Sequence, residues 1–282
     1  MDTNTTYFYK DLNMQRNKLF LIGLASLIAS HSANAAYKVI DFDTNSSGGN
    51  IVNGQIIDNE YLQNYGVSIS SCNYDNQKSA SQINLGSCNS AGDVADRQVA
   101  FNTSLSHTRD PDLEFHNKNN DYKSQYTALN IGSYNGADKP GNILILQENS
   151  IGCGDGVCNY PDDEGQRPAG YFEFTFDSLV DIVSLDFFDI EDSNTNGAAN
   201  QISFYEGNTL KSFGYVPDMH DGNMERVSYN ATGINRLIVN IPGSGGIDNL
   251  VFRTGTVDVP APAGLSVLLL GLIALSFRKI KG

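Results

Sequence analysis

The chain has 282 residues, with 18 Lys and Arg against 32 Asp and Glu, for a formal net charge of −14. Residues 36–259 alone carry 12 basic and 30 acidic side chains, a net −18, and a surface of that sign repels phosphate backbones and argues against nucleic acid as a partner. Gly at 27, Tyr and Phe at 14 each and no Trp favour strands joined by many turns.

Taken in order, Met1–Lys10 shows no apolar periodicity. A secretory signal begins at Met14, either behind an N-terminal extension or as the true start. Arg16 and Lys18 form its basic region, Leu19–Ala29 its apolar core, and Ala33-Asn34-Ala35 an A-x-A cleavage site. The mature chain is expected to begin at Ala36, so residues 1–35 are an address and not part of the fold.

From Tyr37 the pattern has period 2 and is broken by turns. Strands are predicted at 37–43, 66–70, 98–102, 142–148, 171–176, 183–187, 201–205, 211–215, 226–229, 236–240 and 248–252. The continuous apolar centre Ile143-Leu144-Ile145-Leu146 predicts a strand buried on both faces. Asp58–Tyr65 is the one helical candidate between the two ends. The set predicts an all-β domain over residues 36–256, a single antiparallel β-sandwich of jelly-roll type. Residues 71–139, poor in apolar runs and rich in Asn, Ser and Asp, read as long loops at one end, where binding is usual.

Four cysteines in an exported chain are expected to pair, since the compartments outside the cytoplasm are oxidising. Of three connectivities, Cys72 with Cys88 and Cys153 with Cys158 is expected, because each closes a local loop. Zinc is disfavoured, as the spacing lacks two C-x₂-C knuckles. Asp192-Ser-Asn194-Thr-Asn196-Gly197 matches the first half of a calcium loop. Its twelfth position is Ser203 instead of Glu, so Asp189 or Glu191 would have to substitute; the alternative is a polar hairpin loop. A second acidic group, Asp155 with Asp162, Asp163 and Glu164, flanks the Cys153–Cys158 loop and reads as a solvated turn before it reads as a metal site. Fold analogy adds Asp41 or Asp43 with Asp248 as calcium ligands between first and last strands. Tyr74, Tyr122, Tyr126, Tyr134 and Tyr160 offer loop rings for sugar binding. His107, His116 and His220 show no H-x-x-x-H spacing and there is no G-x-S-x-G elbow. No catalytic residue is therefore assigned, and a glycosidase-type carboxylate pair is the third-ranked reading.

The chain ends in three parts: the stiff tetrapeptide Val259-Pro260-Ala261-Pro262, the uncharged stretch Gly264–Phe277, and the basic residues Arg278, Lys279 and Lys281. The middle part predicts a helix of about 21 Å, short of a hydrocarbon core of about 30 Å, with the cations on the cytoplasmic side. Residues 257–282 resemble the PEP-CTERM sorting signal of exopolysaccharide-producing Gram-negative bacteria, in its VPxP variant, with Ala261 where the commonest version has Glu. That resemblance implies an inner-membrane precursor, an exosortase as processing partner, and a mature protein at the cell surface or in the exopolysaccharide matrix. Residues 40–253 also resemble the jelly-roll-like domains found in front of such tails, through Asp110-Pro111-Asp112-Leu113, Gly141-Asn142-Ile143-Leu144-Ile145 with Gln147-Glu148, Pro161-Asp162-Asp163-Glu164, Phe187-Phe188-Asp189-Ile190 and Gly245-Gly246-Ile247-Asp248-Asn249-Leu250. The expected role is structural or adhesive, with calcium-dependent carbohydrate binding as the alternative.

Overall fold

The alternation in Tyr171–Phe176 puts Phe172, Phe174 and Phe176 on one face of a strand, as period-2 geometry requires, and all three are buried. The computed structural model describes residues 36–74, 86–116, 140–163, 165, 168–191, 200–219 and 222–254. The strands are β1 (Tyr37–Ile40), β2 (Val67–Asn73), β3 (Val94–Ala95), β4 (Gln98–Asn102), β5 (Asn142–Leu146), β6 (Cys153–Gly154), β7 (Val157–Cys158), β8 (Gly170–Phe188), β9 (Gln201–Glu206), β10 (Thr209–Tyr215), β11 (Met224–Ile241) and β12 (Gly246–Thr254). Ten of them form one hydrogen-bonded sheet and β6–β7 a small second one.

Two long strands carry the architecture. The first half of β8 pairs with β2, and its second half with β12. Along its other edge runs β11, whose register against β8 breaks between Ser228 and Ala231, Ala231 and Ile234, and Ile234 and Arg236. Such breaks bend a strand and raise its twist. The sheet thereby divides into two layers. In the first, β10, β9 and the end of β11 lie beside the start of β8, then β2 and β3; in the second, the start of β11 lies beside the end of β8, then β12, β5 and β4, with β1 also on β12. Phe174, Phe204, Leu237 and Ile69 from the first layer and Ile182, Phe187, Leu144 and Phe252 from the second share one core. Each such side chain contributes about 1.5–3 kcal/mol by leaving water. All-β, antiparallel and sandwich-like describes the result.

Several elements differ from expectation. The stretches 171–176 and 183–187 are one strand, as are 226–229 and 236–240. The first strand stops at Ile40, because Phe42 adopts a left-handed φ of 52°. The helix α1 is a single turn, Leu62–Tyr65, closed by Gly66 at φ 68°, whose N–H reaches the Leu62 carbonyl; this is the left-handed cap that glycine suits. Within 71–139 the chain also forms β3 and a 3₁₀ turn at Pro111–Leu113. The strand β5 is buried throughout: Leu144 and Leu146 face the central core, while Ile143 and Ile145 join Val99, Phe101, Leu113, Phe115 and Phe188 in a second apolar cluster. Among the described residues no helix is long and apolar enough to cross a membrane; the expected signal peptide (1–35) and tail (257–282) lie outside them.

Candidate functional site

The outward face of the first layer follows from the same alternation. On β9, Ile202 and Phe204 point into the core, so Gln201, Ser203 and Tyr205 point out; on β11, Leu237 and Val239 point in, and Arg236, Ile238 and Asn240 point out. Register sets Arg236 opposite Tyr205 and Ile238 opposite Ser203. These six residues and Gly86 line a cleft of about 200 Å³.

Its wall is held by a disulfide. Cys72 on β2 is bonded to Cys88, with their Cα atoms 5.6 Å apart, and this ties the 86–88 segment across the sheet. The Gly86 N–H donates to the Tyr74 hydroxyl at 2.8 Å, and that hydroxyl donates to Asn240 Oδ1 at 3.4 Å. Asn240 Nδ2 in turn donates to the Gln201 carbonyl at 2.6 Å, and Gln201 Nε2 to Ser203 Oγ at 3.1 Å. A floor so fully bonded is rigid. Tyr74, expected as an exposed loop ring, is instead buried against Tyr171 and Cys72, and burial pushes its hydroxyl pKa well up.

The cation in the cleft is differently placed. The Arg236 guanidinium lies over the Tyr205 ring, 4.3 Å from its centroid, a contact worth about 0.5–1 kcal/mol at a surface. Its Nε–H is buried and has no hydrogen-bond partner among the described residues. Arg226 and Arg253, by contrast, are each paired with a carboxylate, Asp186 and Asp181. Expectation had placed binding in loops; the signal that locates this cleft is the outward half of Gln201–Tyr205 and Arg236–Asn240.

A second constellation joins motifs far apart in sequence. Asp110 is buried and its carboxyl contacts those of Asp163 and Asp112. Asp163 also accepts from the Gly245 N–H. Burial first, then the neighbouring carboxylates, push Asp110 far above the usual carboxylate range, and burial raises Asp163 too. A proton shared within the pair accounts for the contact. Asp155 is separate: it sits exposed at the Asp155-Gly156 turn between β6 and β7, with φ of 51° and 80°, as a two-residue hairpin loop requires. Cys153 and Cys158, paired across that hairpin, are disulfide-bonded. Both expected bridges are therefore present.

Five of the residues expected to hold calcium accept hydrogen bonds within the protein. Asp41 Oδ1 accepts from the Asp43 and Thr44 N–H groups at 3.2 and 3.3 Å, and Asp43 Oδ1 from Asn142 N–H at 2.8 Å. Asp248, fully buried, accepts from the Asn249 backbone at 2.7 Å and its side chain at 2.8 Å. Burial, then Asp186, raises the Asp248 pKa, with smaller contributions from Asp41 and Asp43. Asp189, at φ 53°, accepts from Gly222 N–H at 2.5 Å, and Glu191 from the Ser244 hydroxyl at 3.0 Å. Among the described residues no group of three or more His, Cys, Asp or Glu side chains that could hold a metal ion is found. Asp192, Asn194 and Asn196 lie outside the described residues, as do the signal cleavage site, the tail motif and Tyr122, Tyr126 and Tyr134.

Fold and site together define a disulfide-bonded, acidic, all-β domain with a polar cleft on one sheet face. No protein family and no curated protein matches the sequence. Among solved structures, the chain is similar to a fucose binding module of Streptococcus pneumoniae, at 15% identity, 32% of this chain, 67% of that one and a TM-score of 0.22. It is similar over the same shares, at 9% identity and the same TM-score, to a His 62 mutant of the lectin binding domain of Lectinolysin complexed with Lewis b. Superpositions at that level carry no argument about ligand or activity.

Proposed function

We propose that this is an exported protein of the cell surface or exopolysaccharide matrix with a structural or adhesive role and no catalytic one. Its two ends serve as addresses, and its body is a jelly-roll-like sandwich. The observation that carries the reading is the pair of disulfides, with every described cysteine bonded, in a domain of net −18; such bridges persist where the surroundings oxidise. In this reading a signal peptidase cuts after Ala35. The tail then holds the precursor in the inner membrane, and an exosortase acts at Val259–Pro262. Intact mass measurement on protein recovered from its native host is expected to show an N-terminus at Ala36, loss of Arg278, Lys279 and Lys281, and four cysteines without free thiols. Recovery from cytosol with both ends retained and thiols reduced overturns it.

A second reading, a carbohydrate-binding module, is favoured by the cleft, where the Tyr205 ring lies beside amide, hydroxyl and guanidinium groups.

A further inference from the structure

We infer that the cleft between β9 and β11 binds a carboxylated sugar, a uronate ring of an acidic polysaccharide, with Arg236 taking the carboxylate and Tyr205 lying beside the ring. This names a ligand for the matrix-associated, sugar-binding reading above and rests on it.

Charge is the first argument. In a domain with 30 acidic and 12 basic side chains, a cation finds a carboxylate partner easily, as Arg226 does with Asp186 at 2.6 and 2.8 Å. Among the described residues Arg236 has none, and its Nε–H is buried without an acceptor. A buried donor left unpaired is destabilising, a cost that an arriving acceptor would recover. A guanidinium is moreover the group whose fork matches a carboxylate in two parallel bonds.

Size and shape are the second. At about 200 Å³ the cleft is smaller than the roughly 300–1,000 Å³ pockets that take drug-sized molecules, and suits one ring of a longer chain. The remaining lining offers what hydroxyl groups need: Ser203 Oγ, the Gln201 amide and the Tyr205 hydroxyl, with Ile238 as an apolar patch. Stacking on Tyr205 fixes the plane of the cation before ligand arrives, so little freedom is lost on binding.

The test compares digalacturonate with its dimethyl ester, which has the same shape and no charge. Both are titrated into the full chain purified in detergent, followed by calorimetry and by backbone amide shifts. The acid is expected to bind at least tenfold more tightly than the ester, to weaken with added salt, and to shift the amides of Ser203, Tyr205, Ile238 and Asn240. Arg236→Gln is expected to abolish the preference, while Arg236→Lys keeps part of it. Equal affinity for acid and ester, shifts on another face, or no binding overturns the proposal. Should Arg236→Gln fail to fold, the acid-to-ester ratio and salt dependence of the unaltered protein decide alone. Fractionation of the native host reads matrix association independently. A cleft indifferent to charge in a matrix-bound protein removes this inference only, and binding of the acid by a protein confined to the cytosol removes the export reading only.

Discussion

The two layers turn unlike faces outward. Beyond the first layer lie Gln201, Ser203, Tyr205 and Arg236, open as a cleft; beyond the second lie Val99, Phe101, Ile143 and Ile145, roofed by Leu113, Phe115 and Cys158. A face whose outward residues are apolar has to be covered, and the loops at 111–115 and 153–158 do so. A face whose outward residues are polar can stay wet. The roof demands close approach: a Cβ on Gly54 would stand 1.9 Å from the Cys158 carbonyl oxygen. The disulfides follow the same division, Cys153–Cys158 serving the roof and Cys72–Cys88 the wall of the cleft.

The comparison can be broken most severely on the roofed side. Phe101→Ala leaves a void between β4 and its cover, and a loss of about 3–5 kcal/mol in urea unfolding is expected. Replacing Cys72 and Cys88 together by Ser comes next, at about 3 kcal/mol for a loop of that length, with loss of ligand-induced amide shifts at the cleft. The Cys153–Cys158 pair, closing a shorter loop, is expected to cost less. Asp110→Asn acts through pH. A carboxyl held above its ordinary pKa of 3.8 stabilises the fold fully below that value, and the stabilisation fades as pH rises through the raised one. The variant is therefore expected to match the parent near pH 3.5 and to exceed it at pH 8, by upwards of about 1.4 kcal/mol for each tenfold change in proton affinity. Parallel pH profiles would contradict the shared proton. The smallest effect concerns calcium, proposed for the Asp192–Gly197 loop: millimolar calcium is expected to raise the melting temperature by a few degrees over chelator, and identical melts remove that site.

Much of this was legible in the residues. Gln98–Asn102 and the doubly buried Ile143–Leu146 read directly as strands, because short apolar runs between turn residues have few other solutions. Both cysteine pairs followed from closing local loops. The length of β8 was not legible: Asp177, Ser178 and Leu179 are exposed mid-strand, where β8 exchanges one partner for another, and in sequence they resemble a turn. The contact of Asp110 with Asp163 depends on tertiary placement that no local pattern encodes. The cleft was encoded in the alternation of Gln201–Tyr205 and Arg236–Asn240, a pattern of outward polar residues that any wet sheet face shares.

The pairing of β1 with β12 sets Tyr37 beside Arg253. A pull applied between the domain's two ends thus opens an antiparallel pair from its free end, one rung after another, and does not load all rungs at once in shear. Under such a pull β1, held by four residue pairs, is expected to peel away at low force while the thirteen-pair β8–β11 ladder stays whole.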